Sequence, residues 1–147
     1  MKTMEIENGL YIGEDFRHHV VEEIERATKE NLPYAVLVCI PRQLSGEDAT
    51  DLIEAAADSL PELVRQSDLI GLLPSQVLAI GAPETPASGA QALAHRLQSE
   101  LSIRSGHIRT TKWQAGYACG PEDGATLQEL LQSAIDAARA GQRHLDR

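Results

Sequence analysis

Residues 60–82 read LPELVRQSDLIGLLPSQVLAIGA, two β-rich apolar runs divided by one Pro-Ser pair. Ser67 to Leu73 and Gln76 to Ala82 have the composition of strands, and proline presets the φ angle that a tight turn requires, so the stretch predicts a β-hairpin turning at Pro74-Ser75. Upstream, Leu52, Ile53, Ala56, Leu60 and Leu63 recur at helical spacing; Pro61 is expected to kink that helix or restart its last turn. Tyr34 to Pro41 is continuously apolar, as a central strand covered on both faces should be. Before it, Phe16, Val20, Ile24 and Ala27 predict an amphipathic helix over 14–30, ending near Asn31 and Pro33, with Glu22, Glu23, Glu25 and Arg26 as its solvated face.

Downstream of the hairpin, Ala90, Leu93, Ala94, Leu97 and Leu101 share a helical face, and a strand is expected over 109–119. Thr126 and Glu129 have the spacing of a reciprocal capping box just ahead of Leu130, Leu131, Ala134 and Ile135, and Gly141 is the expected end of that last helix. The resulting order, α-β-α-β-β-α-β-α, predicts an α+β domain in which helices cover the faces of a sheet containing antiparallel pairs.

Composition narrows what such a domain does. The 147 residues suffice for one core and predict a single domain over 1–147. With 22 acidic against 13 basic residues the formal charge is −9, which disfavours sequence-blind nucleic-acid binding. One Phe, one Trp and three Tyr leave no aromatic platform for single-stranded bases, and Trp113 reads as a core residue. No run approaches the roughly 20 apolar residues of a membrane span and no signal segment opens the chain, so the expected location is cytoplasmic. Cys39 and Cys119 lie in apolar strand-like runs without CxxC spacing and read as reduced packing residues. His18 and His19 are adjacent and cannot face the same way on a helix, while His95, His107 and His144 are isolated, so neither a metal site nor a cofactor is expected.

Several strings occur in the order found in one family. Asn8, Gly9, Leu10 and Tyr11 followed by Phe16 resemble an opening TGLxNRRxF, with Ile12 in place of its Asn. Ala35 to Pro41 matches a strand that ends in a metal-binding DxD. LPELVRQSDLIGLL resembles LxxxvRxsDlvaRxG, and GYACGPEDG, residues 116–124, resembles GvAxxpxdg. Together the chain resembles the GGDEF domains of diguanylate cyclases over residues 8–142, in degenerate form. The resemblance implies a nucleotidyl-cyclase-like central mixed sheet, built on a ferredoxin-like βαββαβ core and flanked by helices.

It also implies where chemistry would sit. A cyclase of this kind joins two GTP molecules, and it needs carboxylates for divalent metal and glycines that let phosphate approach the backbone. The strand-end aspartates correspond to Cys39 and Pro41, and the signature turn to Pro74, Ser75, Gln76, Val77 and Leu78. None of these supplies a carboxylate, the connection after the first long strand is short, and the family's Lys and Asn-Asp pair are missing from it. The expectation is therefore a domain with no catalytic residues, no cofactor and no metal.

One family feature stays in register. A product-binding RxxD, helped by an arginine on the following helix, maps onto Arg65, Asp68 and Arg96, with Asp68 six residues ahead of Pro74. Two guanidiniums would grip phosphate and guanine while the carboxylate accepts from guanine N1–H. The alternative is a surface ion pair worth under about 1 kcal/mol beside a solvated arginine. The leading expectation is an inactive signalling module in bacterial cyclic di-GMP-related regulation that binds a protein partner or a second copy of itself. The alternatives are a cyclic di-GMP receptor using Arg65, Asp68 and Arg96 and, remotely, a repurposed nucleotide enzyme.

Overall fold

The computed structural model describes residues 5–6, 10–42, 46–105 and 113–145, with side chains placed over 14–42, 51–104 and 113–140. Ten elements follow one another: β1 (Glu5–Ile6), β2 (Leu10–Ile12), α1 (Gly13–Glu30), β3 (Tyr34–Pro41), α2 (Gly46–Leu63), β4 (Leu69–Leu73), β5 (Val77–Pro83), α3 (Ala87–Ser105), β6 (Trp113–Gly120) and α4 (Leu127–Leu145). The strands form one mixed sheet in the order β1-β2-β4-β5-β3-β6. Within it β4, β5, β3 and β6 are antiparallel neighbours, and β2 lies parallel to β4. This is the α+β architecture expected, with the βαββαβ core running from β3 to β6.

The pleat of β3 explains its unbroken apolar run. Ala35, Leu37 and Cys39 point into a core shared with α2 and α3, including Leu52, Leu60, Leu97 and Trp113. Tyr34, Val36 and Val38 point the other way, against α1 and α4, with Phe16, Val20, Leu130 and Ala134. A strand buried on both faces cannot alternate polar and apolar residues.

Local signals set most element ends. Asn31, at φ 57°, ends α1 in the left-handed conformation. The Leu32 amide donates to the Ala27 carbonyl at 2.9 Å and the Asn31 amide to Thr28 at 3.3 Å, the two-bond pattern of a Schellman stop. At the start of α4 the Glu129 amide donates to Thr126 Oγ1 at 3.2 Å, and Glu129 Oε1 accepts from the Thr126 and Ala125 amides at 3.4 and 2.8 Å. The expected capping box is present.

Four expectations are corrected. The hairpin turns over three residues, Pro74 to Gln76, because Leu73 pairs with Val77 and both Ser75 and Gln76 take positive φ. Gln76 therefore belongs to the turn rather than to β5. The helix α2 runs through Pro61 to Leu63 without restarting, since buried Leu60 and Leu63 on either side of the proline hold its last turn on the core. The helix α4 continues past Gly141 to Leu145, as an interior glycine costs a helix only about 1 kcal/mol. Finally, β1 and β2 extend the sheet; at two and three residues they are too short to carry a readable period. Of the strand expected over 109–119, residues 113–119 lie in β6 and the first four fall outside the described residues, as do Asn8, Gly9 and His107. Among the described residues no helix is long and apolar enough to cross a membrane.

Candidate functional site

Two places correspond to the sequence expectations, and the sheet register sets both. At one end of the sheet β3 finishes beside the β4–β5 turn, with Cys39 opposite Leu78. Pro74 and Ser75 are exposed at the tip and Gln76 is half-buried. The next residues turn inward: Val77 packs against α1 and α4, while Leu78 and Cys39 are fully buried on the α2–α3 side, and Pro41 is buried as well. Burial pushes the Cys39 thiol up to about 12, and burial with Asp123 and Glu122 nearby pushes Cys119 to about 11, so both stay protonated and unreactive near neutrality. Among the described residues no group of three His, Cys, Asp or Glu side chains converges to hold a metal ion.

The second place grows from the turn between α2 and β4. The Arg65 amide donates to Asp68 Oδ2 at 2.9 Å and the Asp68 amide donates to the Arg65 carbonyl at 3.0 Å, closing a tight reciprocal turn. The Arg65 side chain then doubles back. Its Nη2 donates to Asp68 Oδ1 at 3.1 Å, to the Pro83 carbonyl at 2.8 Å and to Thr85 Oγ1 at 2.6 Å, while Thr85 Oγ1 donates to the same Pro83 carbonyl at 2.9 Å. One guanidinium thus ties the end of α2 to the link between β5 and α3.

The ion pair weighed from sequence is present, but only one side of it is solvated: the Arg65 side chain is 54% exposed and the Asp68 side chain 0%. Both carboxylate oxygens of Asp68 already accept a bond, and Thr85 is buried. Arg96, exposed on α3, makes no ion pair among the described residues. Arg65, Asp68, Thr85 and Arg96 line one cavity of about 430 Å³ over Leu63 and Leu93. It presents two guanidiniums at a rim and an apolar floor, an arrangement that takes an anionic group on a flat, poorly solvated body.

Sequence reasoning missed Thr85 and the Pro83 carbonyl, which stand 20 and 18 residues from Arg65 and meet it only through the sheet. It also assigned Glu23 to the solvated face of α1. Glu22 and Glu25 are indeed exposed, but Glu23 is half-buried and accepts a hydrogen bond from the hydroxyl of buried Tyr34. Burial raises the Glu23 carboxyl above its ordinary value, against the opposing pull of that hydrogen bond and of Arg26, and burial beside Glu23 raises the Tyr34 hydroxyl. The signal available in the sequence was Tyr34 itself, since a buried tyrosine hydroxyl requires a partner. Trp113 is buried in the core, as expected. His18 meets Glu22 at 3.4 Å and stacks edge-on against His19, with ring centroids 6.0 Å apart, and His95 is exposed.

No protein-family model matches the sequence, and no curated protein matches it. Solved structures do match. The GGDEF domain of FimX from Pseudomonas aeruginosa superposes with a TM-score of 0.78 at 18% identity, over 93% of this chain and 91% of that one. The active GGEEF domain of a diguanylate cyclase from Vibrio cholerae gives 0.78 at 11% identity, over 90% of each. The GGDEF domain of DgcB from Caulobacter crescentus, in complex with c-di-GMP, gives 0.77 at 15% identity, over 92% and 86%. The chain has the fold of GGDEF diguanylate cyclase domains.

Proposed function

We propose that this GGDEF-fold chain works in cyclic di-GMP-related signalling without cyclase chemistry, by contact with a protein partner or a second copy of itself. The observation that supports the reading is what fills the end of the sheet. Metal-assisted attack on an α-phosphate needs hard oxygen ligands at that end. The positions that the family resemblance assigns to those ligands and to the acid beside them hold Cys39, Pro41, Gln76 and Val77, and three of the four are buried as packing residues. A protonated thiol and hydrocarbon side chains offer magnesium no ligand, and the Gln76 carboxamide offers one neutral oxygen in place of a carboxylate. Incubation with GTP and magnesium, followed by assay of released pyrophosphate, is expected to give none above a no-protein blank. Turnover that scales with protein concentration refutes the reading.

A second reading, a cyclic di-GMP receptor, is favoured by one observation: Arg65, Asp68 and Arg96, picked out together by resemblance, line one cavity. A solved neighbour, DgcB, was crystallised with c-di-GMP. In this chain the ligand would have to draw Arg65 away from Thr85 and Pro83 before reaching the enclosed Asp68 carboxylate. Calorimetric titration with cyclic di-GMP separates the two readings. Micromolar affinity, about −8 kcal/mol, lost in Arg65→Ala and in Arg96→Ala, supports the receptor. An absence of heat from the folded protein leaves the partner-binding reading.

A further inference from the structure

Arg17 marks a different place, on the α1–α4 side of the sheet, away from the Arg65 cavity. It lies in the second turn of α1 and is partly buried, and among the described residues it makes no hydrogen bond or ion pair. The other partly buried arginines are engaged: Arg104 grips Glu62 and Glu100, and Arg42 has a partner. A partly buried guanidinium with no ion-pair partner among the described residues is open to pairing with an anion.

Arg17 lines a cavity of about 400 Å³ together with Gln128 and Gln132 of α4, over a floor that includes Leu73, Val77 and Leu131. The donor set carries a single positive charge. The planar fork of the guanidinium matches the two oxygens of a carboxylate, the Gln128 carboxamide adds neutral N–H donors, and the floor accepts hydrocarbon. A phosphate dianion fits less well. Only one cation faces it, Gln132 Nε2 already donates to Asp136 at 3.0 Å, and the whole chain carries −9.

We infer that this cavity binds a monocarboxylate borne on a compact apolar body, either a free organic acid or an acidic side chain with an apolar neighbour in a peptide. The cavity shares Pro74 and Val77 with the sheet end as lining, but the inference does not depend on the loss of metal ligands there and does not use the Arg65 cavity. The test titrates the whole isotope-labelled chain with isocaproate, its neutral amide isocaproamide, inorganic phosphate and acetyl-Leu-Glu-amide, following the Arg17 Nε–H and Gln128 side-chain amide signals. Isocaproate is expected to give saturable shifts and isocaproamide none, with affinity reduced at least about tenfold in Arg17→Gln. Arg17→Lys, which keeps the charge and loses the fork, is expected to bind at intermediate strength and serves where Arg17→Gln does not fold. Tighter binding of acetyl-Leu-Glu-amide than of isocaproate assigns the ligand to a protein segment, and the reverse order assigns it to a free acid; both uphold the inference. An equal response to the neutral amide, tighter binding of phosphate, or unchanged affinity in Arg17→Gln and Arg17→Lys overturns it.

Discussion

Glu23 and Tyr34 bind α1 to the sheet through one hydrogen bond between a carboxyl and a buried phenol. Because burial raises the Glu23 carboxyl above its ordinary 4.5, the folded chain holds that proton more tightly than the unfolded chain does. The favourable share is whole below about 4.5 and is lost as pH rises through the raised value. Glu23→Gln does not titrate there, so its urea midpoint is expected to gain on wild type as pH rises from acid to neutral. Parallel midpoints for the two proteins across that range would remove Glu23 as the cause. At the same scale Asp68 shows why a short string cannot be read in isolation. As sequence, Arg65 and Asp68 admit a solvated pair or a ligand grip, and only the return of Arg65 to Pro83 and Thr85 shows the carboxylate enclosed.

Among elements, α4 packs tightly on β6. A Cβ on Gly116 would run into the Ala134 carbonyl and the Ala138 amide, so helix and strand meet backbone to backbone. Gly116→Ala is therefore expected to destabilise by about 1–3 kcal/mol, read as a lower urea midpoint at unchanged slope, because no side chain can yield in place of the main chain. A midpoint within error of wild type contradicts that packing. Strand β6 is also an edge of the sheet, and three of its outward amides are occupied. Those of Trp113, Ala115 and Cys119 donate to Ser102 Oγ, Gln98 Oε1 and Asp123 Oδ2 at 3.0, 2.9 and 2.9 Å. Side chains from α3 and from the β6–α4 link thus blunt an edge otherwise open to strand addition. The capping box of α4 was legible because its partners are three residues apart; the seals that α3 places on β6 were not, because Ser102 and Trp113 are 11 residues apart and Gln98 and Ala115 are 17.

For the whole molecule, two apolar cores on opposite faces of one sheet hold the fold, and the non-catalytic reading assigns it no bound metal or nucleotide. A ligand stabilises a fold in proportion to its binding to the native state. The thermal midpoint is accordingly expected to stay within error when magnesium and GTP are added together. A rise that depends on both would indicate a nucleotide site and count against the non-catalytic reading. The apolar sides of α1, α3 and α4 and the strands β3, β4 and β5 were readable in the sequence, since burial imprints a period of 3.6 on a helix and a near-continuous apolar run on a strand covered on both faces. Strands of two and three residues leave no such imprint, which is why the outer part of the sheet, β1 and β2, appears only in the structure.

Period, turn chemistry and capping residues act over a few positions, so the amino-acid order alone suffices for the α+β class, the hairpin, the start of α4 and the end of α1. The three-residue count of the turn, the enclosure of Asp68, the Tyr34–Glu23 bond and the cavity around Arg17 follow instead from which strands neighbour which. Each of these depends on register or on groups far apart in the chain, and a polar side chain carries no mark of whether its distant partner is water or protein until the sheet brings the two together.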